Sequence, residues 1–133
     1  MLHIAVIALR NEEGKFLFQF RDGNAPTNKL RVTFFGGSID AGENPSEAAL
    51  RELKEELELD VKPDELRSVV AKPWHQEELK EDEIMNVFEV TKRVSWDDIR
   101  VREGAGAVFL TKEELLSLEI ATPFVKEVMK ECF

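Results

Sequence analysis

The strongest constraint on the fold is one amphipathic helix that begins after Asn44. Asn44 is a favourable N-cap, Pro45 suits the first helical position, where no amide hydrogen is needed, and Glu47 completes a capping box. The helix is predicted to run to about Leu57, with one apolar stripe facing the core. The stripe consists of Ala49, Leu50, Leu53 and Leu57.

The remaining segments mix strands and helices in an irregular order. Strands are predicted at 3–10, 15–21, 32–35, 66–71, 84–90 and 107–110, and an acidic loop at 77–83. A short helix is predicted from Thr111, with Glu114 in its capping box, to Leu118, and a last helix begins at Thr122-Pro123. This order fits neither a regular βαβ array nor an all-β sandwich. We therefore expect an α/β fold in which helices pack on a mixed β-sheet.

Length and composition limit the organisation of the chain and its partners. The 133 residues favour a single domain over 1–133, and a hydrophobic share of 43% allows a sizeable core. The formal net charge of −9 disfavours binding to DNA or RNA, whose phosphates are also negative. No stretch is apolar enough to span a membrane, and a single cysteine, Cys132, fits a reducing compartment. We expect a soluble cytoplasmic protein.

Three glutamates on the predicted helix form a candidate metal site. Glu52 precedes Glu55 by three residues and Glu56 by four, so the three carboxylates project from neighbouring positions. Such a face is either an acidic surface in contact with water or a site for a hard cation, because Mg²⁺ and Mn²⁺ prefer oxygen ligands. The spacing of the charges leaves both interpretations open.

Residues 37–59 read GSIDAGENPSEAALRELKEELEL. This segment resembles the signature of the Nudix (MutT-type) hydrolases: glycine, five residues, glutamate, seven residues, then Arg-Glu-aliphatic-x-Glu-Glu-x-Gly-aliphatic. The matching positions are Gly37, Glu43, Arg51, Glu52, Leu53, Glu55, Glu56 and Leu59. Glu58 stands where the family has glycine, so we expect the end of the helix to differ in shape. Phe35 stands where the family often has proline.

The resemblance implies a Nudix-like α/β/α sandwich with a mixed sheet, and it implies the metal site. Mg²⁺, or alternatively Mn²⁺, is expected on the three helix glutamates and on a backbone carbonyl of Gly36 or Gly37. Glu43 and Arg51 are expected to support the site by bracing the glycine loop against the helix.

The implied activity is hydrolysis of a phosphoanhydride bond in a nucleoside diphosphate linked to another moiety. A nucleoside triphosphate or modified dNTP cleaved to the monophosphate and pyrophosphate is the first choice, and ADP-ribose or a nucleotide sugar is the alternative. A catalytically silent nucleotide-sensing or protein-binding module is the rival from another class, although such a module would usually have lost a glutamate of the signature. The implied partner is a small nucleotide-type substrate, and a homodimer is expected as in many family members.

Catalytic and substrate-binding roles are assigned to further residues. The general base is sought among Glu52, Glu55 and Glu103, where Glu103 matches a Glu-Gly pair that several MutT-like proteins carry. The acids at 77–83, Asp97 and Asp98 are rivals for this role. Arg21 and Lys29 are expected to meet the phosphates. Aromatic residues could stack on a base or belong to the core: Phe18, Phe20, Phe34 and Trp74.

Overall fold

The computed structural model describes residues 1–102 and 104–133. Its elements in chain order are β1 (Leu2–Ala8), β2 (Phe16–Phe20), β3 (Val32–Thr33), β4 (Phe35–Ser38), α1 (Pro45–Leu57), β5 (Leu66–Gln76), β6 (Glu81–Val90), β7 (Gly106–Leu110), α2 (Lys112–Ser117) and α3 (Pro123–Cys132). Short 3₁₀ turns lie at Pro63–Glu65 and Trp96–Asp98. No helix in this part of the chain is long and apolar enough to cross a membrane.

The strands of the described chain form a mixed sheet and a smaller antiparallel one. The mixed sheet has the order β4-β1-β6-β5, in which β1 and β6 are parallel and the other neighbours antiparallel. The smaller sheet has the order β3-β2-β7. The expectation of an α/β fold with a mixed sheet is therefore confirmed.

Strand β1 separates the two halves of the core. Ala5 and Ile7 face the half that is filled by α1, whereas Val6 and Ala8 face the half that is filled by α3. Because both faces are covered, the strand is a nearly continuous apolar run rather than an alternating one. The sheet is thus enclosed by helices on both sides.

Helix α1 begins as the sequence predicts. The Asn44 side chain accepts a hydrogen bond from the Glu47 amide, and the Glu47 carboxylate accepts one from the Asn44 amide, both over 2.9 Å. The buried face differs slightly from the predicted stripe, because Leu50 is only partly buried whereas Ala48 is fully buried. The buried face is therefore rotated by only about 60°, roughly one sixth of a turn, from the predicted centre of the apolar stripe.

Two predicted segments are wrong in extent. Residues 32–35 do not form one strand, because the chain changes sheets at Phe34 and contributes β3 to one sheet and β4 to the other. The predicted acidic loop at 77–83 is shorter: only 77–80 form a turn, and Glu81–Glu83 belong to β6. The longer β5 tolerates Pro73 because it is an edge strand of the mixed sheet.

Candidate active site

Helix α1 lies against β4 and turns two of the three predicted metal ligands inward. Glu52 and Glu56 are one helical turn apart and are only 9% and 1% exposed. The Glu55 side chain is 55% exposed and lies at the edge of the same face. Burial of a carboxylate is unfavourable unless its charge is compensated. Two of the three glutamates are therefore buried, so this side of the helix is not simply an acidic surface in contact with water.

Glu52 lies directly against Gly37. A Cβ atom added at Gly37 would lie 2.4 Å from Glu52 Oε1 and 2.7 Å from its Cδ, so a side chain here would displace the carboxylate. Gly36 is required for another reason, because its Cβ would lie 2.1 Å from the carbonyl oxygen of Ala5 in β1. The absence of a side chain thus lets Gly36 pack against the backbone of β1 and Gly37 pack against the Glu52 carboxylate.

Arg51 connects the loop after β4 with the helix. Its Nε and Nη2 donate hydrogen bonds to the two carboxylate oxygens of Glu43, over 2.7 and 3.0 Å, and Nη2 also donates to the Ser38 carbonyl over 2.9 Å. Its Nη1 donates to Glu52 over 2.9 Å and to Glu55 over 3.2 Å. Arg51 and Glu43 thus fix the loop against α1, in the position where the sequence predicts a brace.

The ion pair between Glu43 and Arg51 changes the ionisation of both residues. The hydrogen bond from Arg51, helped by one from the Asp40 amide, holds the pKa of Glu43 below its ordinary value. The hydrogen bond to Glu43 raises the pKa of Arg51, with a smaller contribution from Glu52. Both groups therefore carry their charges throughout the neutral pH range, and the brace persists there.

The donor set of this face fits a hard divalent cation. Within 1–102 and 104–133, no group of three or more Asp, Glu, His or Cys residues stands close enough together to hold a metal ion. Glu55 points to Arg51, but its exposed side chain can rotate. Glu52 and Glu56 supply buried carboxylate oxygens, and the space that a Cβ would fill at Gly37 lies beside Glu52. Carboxylates and backbone carbonyls are the ligands that Mg²⁺ and Mn²⁺ prefer.

Helix α1 ends at Glu58 in the left-handed conformation, with φ of 51° and ψ of 35°. The Glu58 amide donates hydrogen bonds to the carbonyls of Leu53 and Lys54. The helix end therefore has the conformation that glycine favours, contrary to the expectation from the sequence. Arg102 packs against this end, because its Nη1 lies 2.8 Å from the Glu58 carboxylate and its amide donates to the Glu56 carbonyl over 2.7 Å.

The candidates for the general base divide into three groups. Glu52 lies against Gly37 of β4, and Glu55 lies at the edge of the same helix face. Glu103 lies outside the described residues, so its catalytic role stays a prediction. Among the rivals, the Asp98 carboxylate accepts hydrogen bonds from the amide and hydroxyl of Ser95, and the Glu78 carboxylate accepts one from the Asn28 amide. These two acids hold turns and loops together.

A cavity of about 1120 Å³ extends from Glu52 and Glu55 across one face of the mixed sheet. The loop after β2 and the start of α3 also contribute residues to its lining. Arg21 and Lys29, the predicted phosphate ligands, both line this cavity, and Arg31 is a third cation there that sequence reasoning missed. The Arg21 Nε also donates to a backbone carbonyl, that of Thr27, over 2.8 Å, so Arg21 holds the loop that carries the other two cations.

Aromatic side chains also contribute to the lining of the cavity. Phe34 and Trp74 line it, whereas Phe18 is completely buried in the core and Phe20 packs against the core. Glu83 also lines it and is only 6% exposed. The sequence predicts Glu83 within an acidic loop, which is wrong because Glu83 belongs to β6. Its alternation with the apolar residues 85 and 87 is the signal that could have identified it as an inward-facing strand residue.

The chain is similar to known proteins in sequence pattern and in fold. Residues 1–132 match the model of the NUDIX domain family. A MutT protein from Methanosarcina mazei Go1 superposes with a TM-score of 0.83 and 20% identity over 97% of this chain and 90% of that chain. A MutT NUDIX hydrolase from Burkholderia pseudomallei gives 0.80 and 16% over 98% and 96%. The E. coli dihydroneopterin triphosphate pyrophosphohydrolase gives 0.70 and 14% over 97% and 92%. No protein in the curated set matches the sequence.

The fold and the family match define a hydrolase that acts on acid anhydrides. The chain belongs to the Nudix family. Proteins of this family are generally pyrophosphohydrolases of nucleoside diphosphate derivatives and use divalent metal ions. The prediction of a Nudix hydrolase is therefore confirmed.

Proposed function

We propose that the chain hydrolyses a nucleoside triphosphate, or a modified dNTP, to the nucleoside monophosphate and pyrophosphate in a reaction that depends on Mg²⁺. The observation that carries this proposal is the pair of buried glutamates of α1, Glu52 and Glu56, of which Glu52 lies against Gly37 and lines a cavity large enough for a nucleotide. Mn²⁺ is expected to replace Mg²⁺ because it has a similar preference for oxygen ligands.

The charges along the cavity support a substrate that carries several phosphates. Arg21, Lys29 and Arg31 line the cavity, and so do Glu52 and Glu55. Phosphates held between these groups would meet cationic side chains on one side and a carboxylate-bound cation on the other. Because the whole chain has a formal net charge of −9, a local site of this kind is needed to overcome the general repulsion of an anionic substrate.

Hydrolysis requires water to attack a phosphorus atom of the anhydride while the bridging oxygen leaves with pyrophosphate. Bound Mg²⁺ would neutralise charge on the phosphate oxygens and lower the pKa of the attacking water. We assign the metal to Glu52, Glu55 and Glu56 with the carbonyl of Gly36 or Gly37. The proton released by the water passes to a carboxylate, for which Glu52, Glu55 and Glu103 are our candidates.

ADP-ribose or a nucleotide sugar is the alternative substrate. These compounds carry a diphosphate with a second sugar, so the cavity would have to accommodate a group on each side of the phosphates. The cavity volume of about 1120 Å³ is large enough for either class of substrate. Retention of all three signature glutamates argues against the non-catalytic alternative.

A product-resolved substrate panel tests the proposal. Purified protein with Mg²⁺ is incubated with natural and modified nucleoside triphosphates, ADP-ribose and nucleotide sugars, and the products are separated by ion-exchange chromatography. We expect monophosphate and pyrophosphate from at least one triphosphate, with no turnover in the presence of chelator. Release of inorganic phosphate and a diphosphate would contradict the assigned bond, and turnover of ADP-ribose alone would favour the alternative. Glu113→Gln, which changes an exposed glutamate of α2, is the control.

A further inference from the structure

Glu83 is a buried carboxylate that the proposed chemistry does not use. It lies in β6 on the same face as Met85 and Val87, which belong to the core, yet it lines the cavity. Within the described part of the chain, no group donates a hydrogen bond to its carboxylate. Burial, together with the nearby charge of Glu81, raises the pKa of Glu83. The folded protein alone therefore leaves this acceptor poorly solvated.

The sheet register gives the separation between Glu83 and β4, the strand that contains Gly36 and Gly37. Ser38 is level with Ile4 and Met85 across β4, β1 and β6, and Glu83 lies two residues further along β6. A strand spacing of about 4.8 Å and a rise of about 3.3 Å per residue put the Cα atoms of Ser38 and Glu83 roughly 12 Å apart. This separation suits a nucleotide whose phosphates lie beside β4 and whose base reaches Glu83.

The neighbours of Glu83 are suited to a flat aromatic ligand. Trp74 is its partner across the β5–β6 pairing, and the Trp74 ring meets the Phe124 ring edge to face with centroids 5.1 Å apart. Phe34 lines the same cavity. Aromatic and apolar walls favour a planar ring by stacking and desolvation, but they do not distinguish one base from another. Glu83 is the group that can make the distinction.

We propose that Glu83 determines base specificity by accepting two hydrogen bonds from a base that presents adjacent N–H donors, as the N1–H and 2-amino groups of guanine-type purines do. An ionised carboxylate has only acceptors, and its two oxygens match two parallel N–H donors. An adenine-type edge offers one donor and one acceptor instead, so one carboxylate oxygen would face a lone pair. The inference rests on the proposed function, because it assumes a nucleotide in this cavity.

The substitution Glu83→Gln gives a specific test, because glutamine has the same shape but offers one acceptor and one donor. Binding of guanosine and adenosine monophosphates is measured by calorimetry, which needs no turnover. We expect the wild type to bind the guanine nucleotide at least 10-fold more tightly. In Glu83→Gln this preference should disappear or reverse, since the amide complements the adenine edge. Inosine monophosphate, which lacks the 2-amino group, should bind to the wild type with intermediate affinity.

The control is Glu113→Gln, which removes a charge at an exposed position of α2 outside the cavity lining. It should leave the base preference unchanged. Equal binding of both bases by the wild type, no binding of either, or an unchanged preference in Glu83→Gln would overturn the inference. Base-selective binding without hydrolysis of any triphosphate would instead retain the specificity role and reject the proposed reaction. Circular dichroism of Glu83→Gln verifies that the isosteric variant is folded, and Glu83→Leu, which should also lose the preference, provides a second variant.

Discussion

Substitution of Gly37 by alanine should disturb the candidate site without disturbing the fold. The new Cβ would lie 2.4 Å from Glu52 Oε1, whereas ordinary contacts are about 3.5 Å, so the carboxylate has to move by about 1 Å. The obstacle is the end of a flexible side chain, and the backbone of Gly37 has no left-handed φ that would resist a side chain. We therefore expect the fold to accept the change while the site does not.

The expected magnitudes differ for stability and for turnover. Moving the Glu52 side chain off its preferred rotamer costs about 0.5–1.5 kcal/mol. Alanine also reduces the conformational entropy of the unfolded chain, which stabilises the folded state by about 0.4–1 kcal/mol and offsets part of this cost. The free energy of unfolding should therefore change by less than about 1 kcal/mol. A displacement of about 1 Å at a reacting centre lowers rates by roughly 100-fold. We expect kcat to fall by about that factor, measured with the substrate that the panel identifies.

Two glycine variants serve as comparisons for this prediction. Gly36→Ala would drive its Cβ to 2.1 Å from the backbone oxygen of Ala5, so it should destabilise the fold by about 1–3 kcal/mol or more. Gly23→Ala meets nothing within 4 Å and should alter neither stability nor turnover. Wild-type turnover of Gly37→Ala at saturating Mg²⁺, with an unchanged metal requirement, would refute the assignment of Glu52 to the site.

Three further predictions follow from other contacts. Glu58→Gly should raise the free energy of unfolding by about 0.5–1 kcal/mol in denaturant melts, because glycine removes the steric strain of the left-handed backbone at the end of α1. The substitution loses only an exposed ion pair with Arg102, and a lower stability would contradict the prediction. Glu83→Gln should be more stable than the wild type at neutral pH, because the raised pKa of Glu83 makes wild-type stability fall as the pH rises through the folded-state pKa. The two proteins should converge below about pH 4, where the carboxyl is neutral, and parallel pH profiles would be inconsistent with a desolvated carboxylate. Mg²⁺ should raise the melting temperature, because a hundredfold excess of metal over its Kd adds roughly 2.7 kcal/mol to the free energy of unfolding. The rise should be smaller in Glu52→Gln, and an identical rise in both proteins would place the metal elsewhere.

The sequence predicts α1 and its glutamates well because the relevant information is local. The cap at Asn44 and Glu47, the apolar spacing and the positions of the carboxylates all lie within one element, and the observed helix starts at Pro45 as expected. The bracing of the loop by Arg51 and Glu43 agrees with the predicted positions for the same reason, since the two residues are only eight apart.

The features that sequence reasoning missed depend on contacts between distant segments. The strand predicted at 32–35 is divided because Val32 pairs with β2 whereas Phe35 pairs with β1, and no local pattern distinguishes these partners. Glu83 is buried because β6 lies between β1 and β5 in the mixed sheet and α3 packs on one face of that sheet, so its acidic neighbours in the sequence are misleading. The contact between Glu52 and Gly37 likewise appears only when α1 packs on β4.

The substitution Glu56→Gln tests most directly whether the α1 glutamates form a metal-dependent hydrolytic site. Glu56 is 1% exposed beside the apolar face of α1, and glutamine keeps its shape while removing the charge that a cation requires. Turnover of the identified substrate is titrated with Mg²⁺ for the wild type, Glu56→Gln and the control Glu113→Gln, with circular dichroism to verify folding. We predict that folded Glu56→Gln loses at least about 100-fold in kcat at saturating Mg²⁺ while the control is unaffected. Near-wild-type hydrolysis by Glu56→Gln would contradict the central claim.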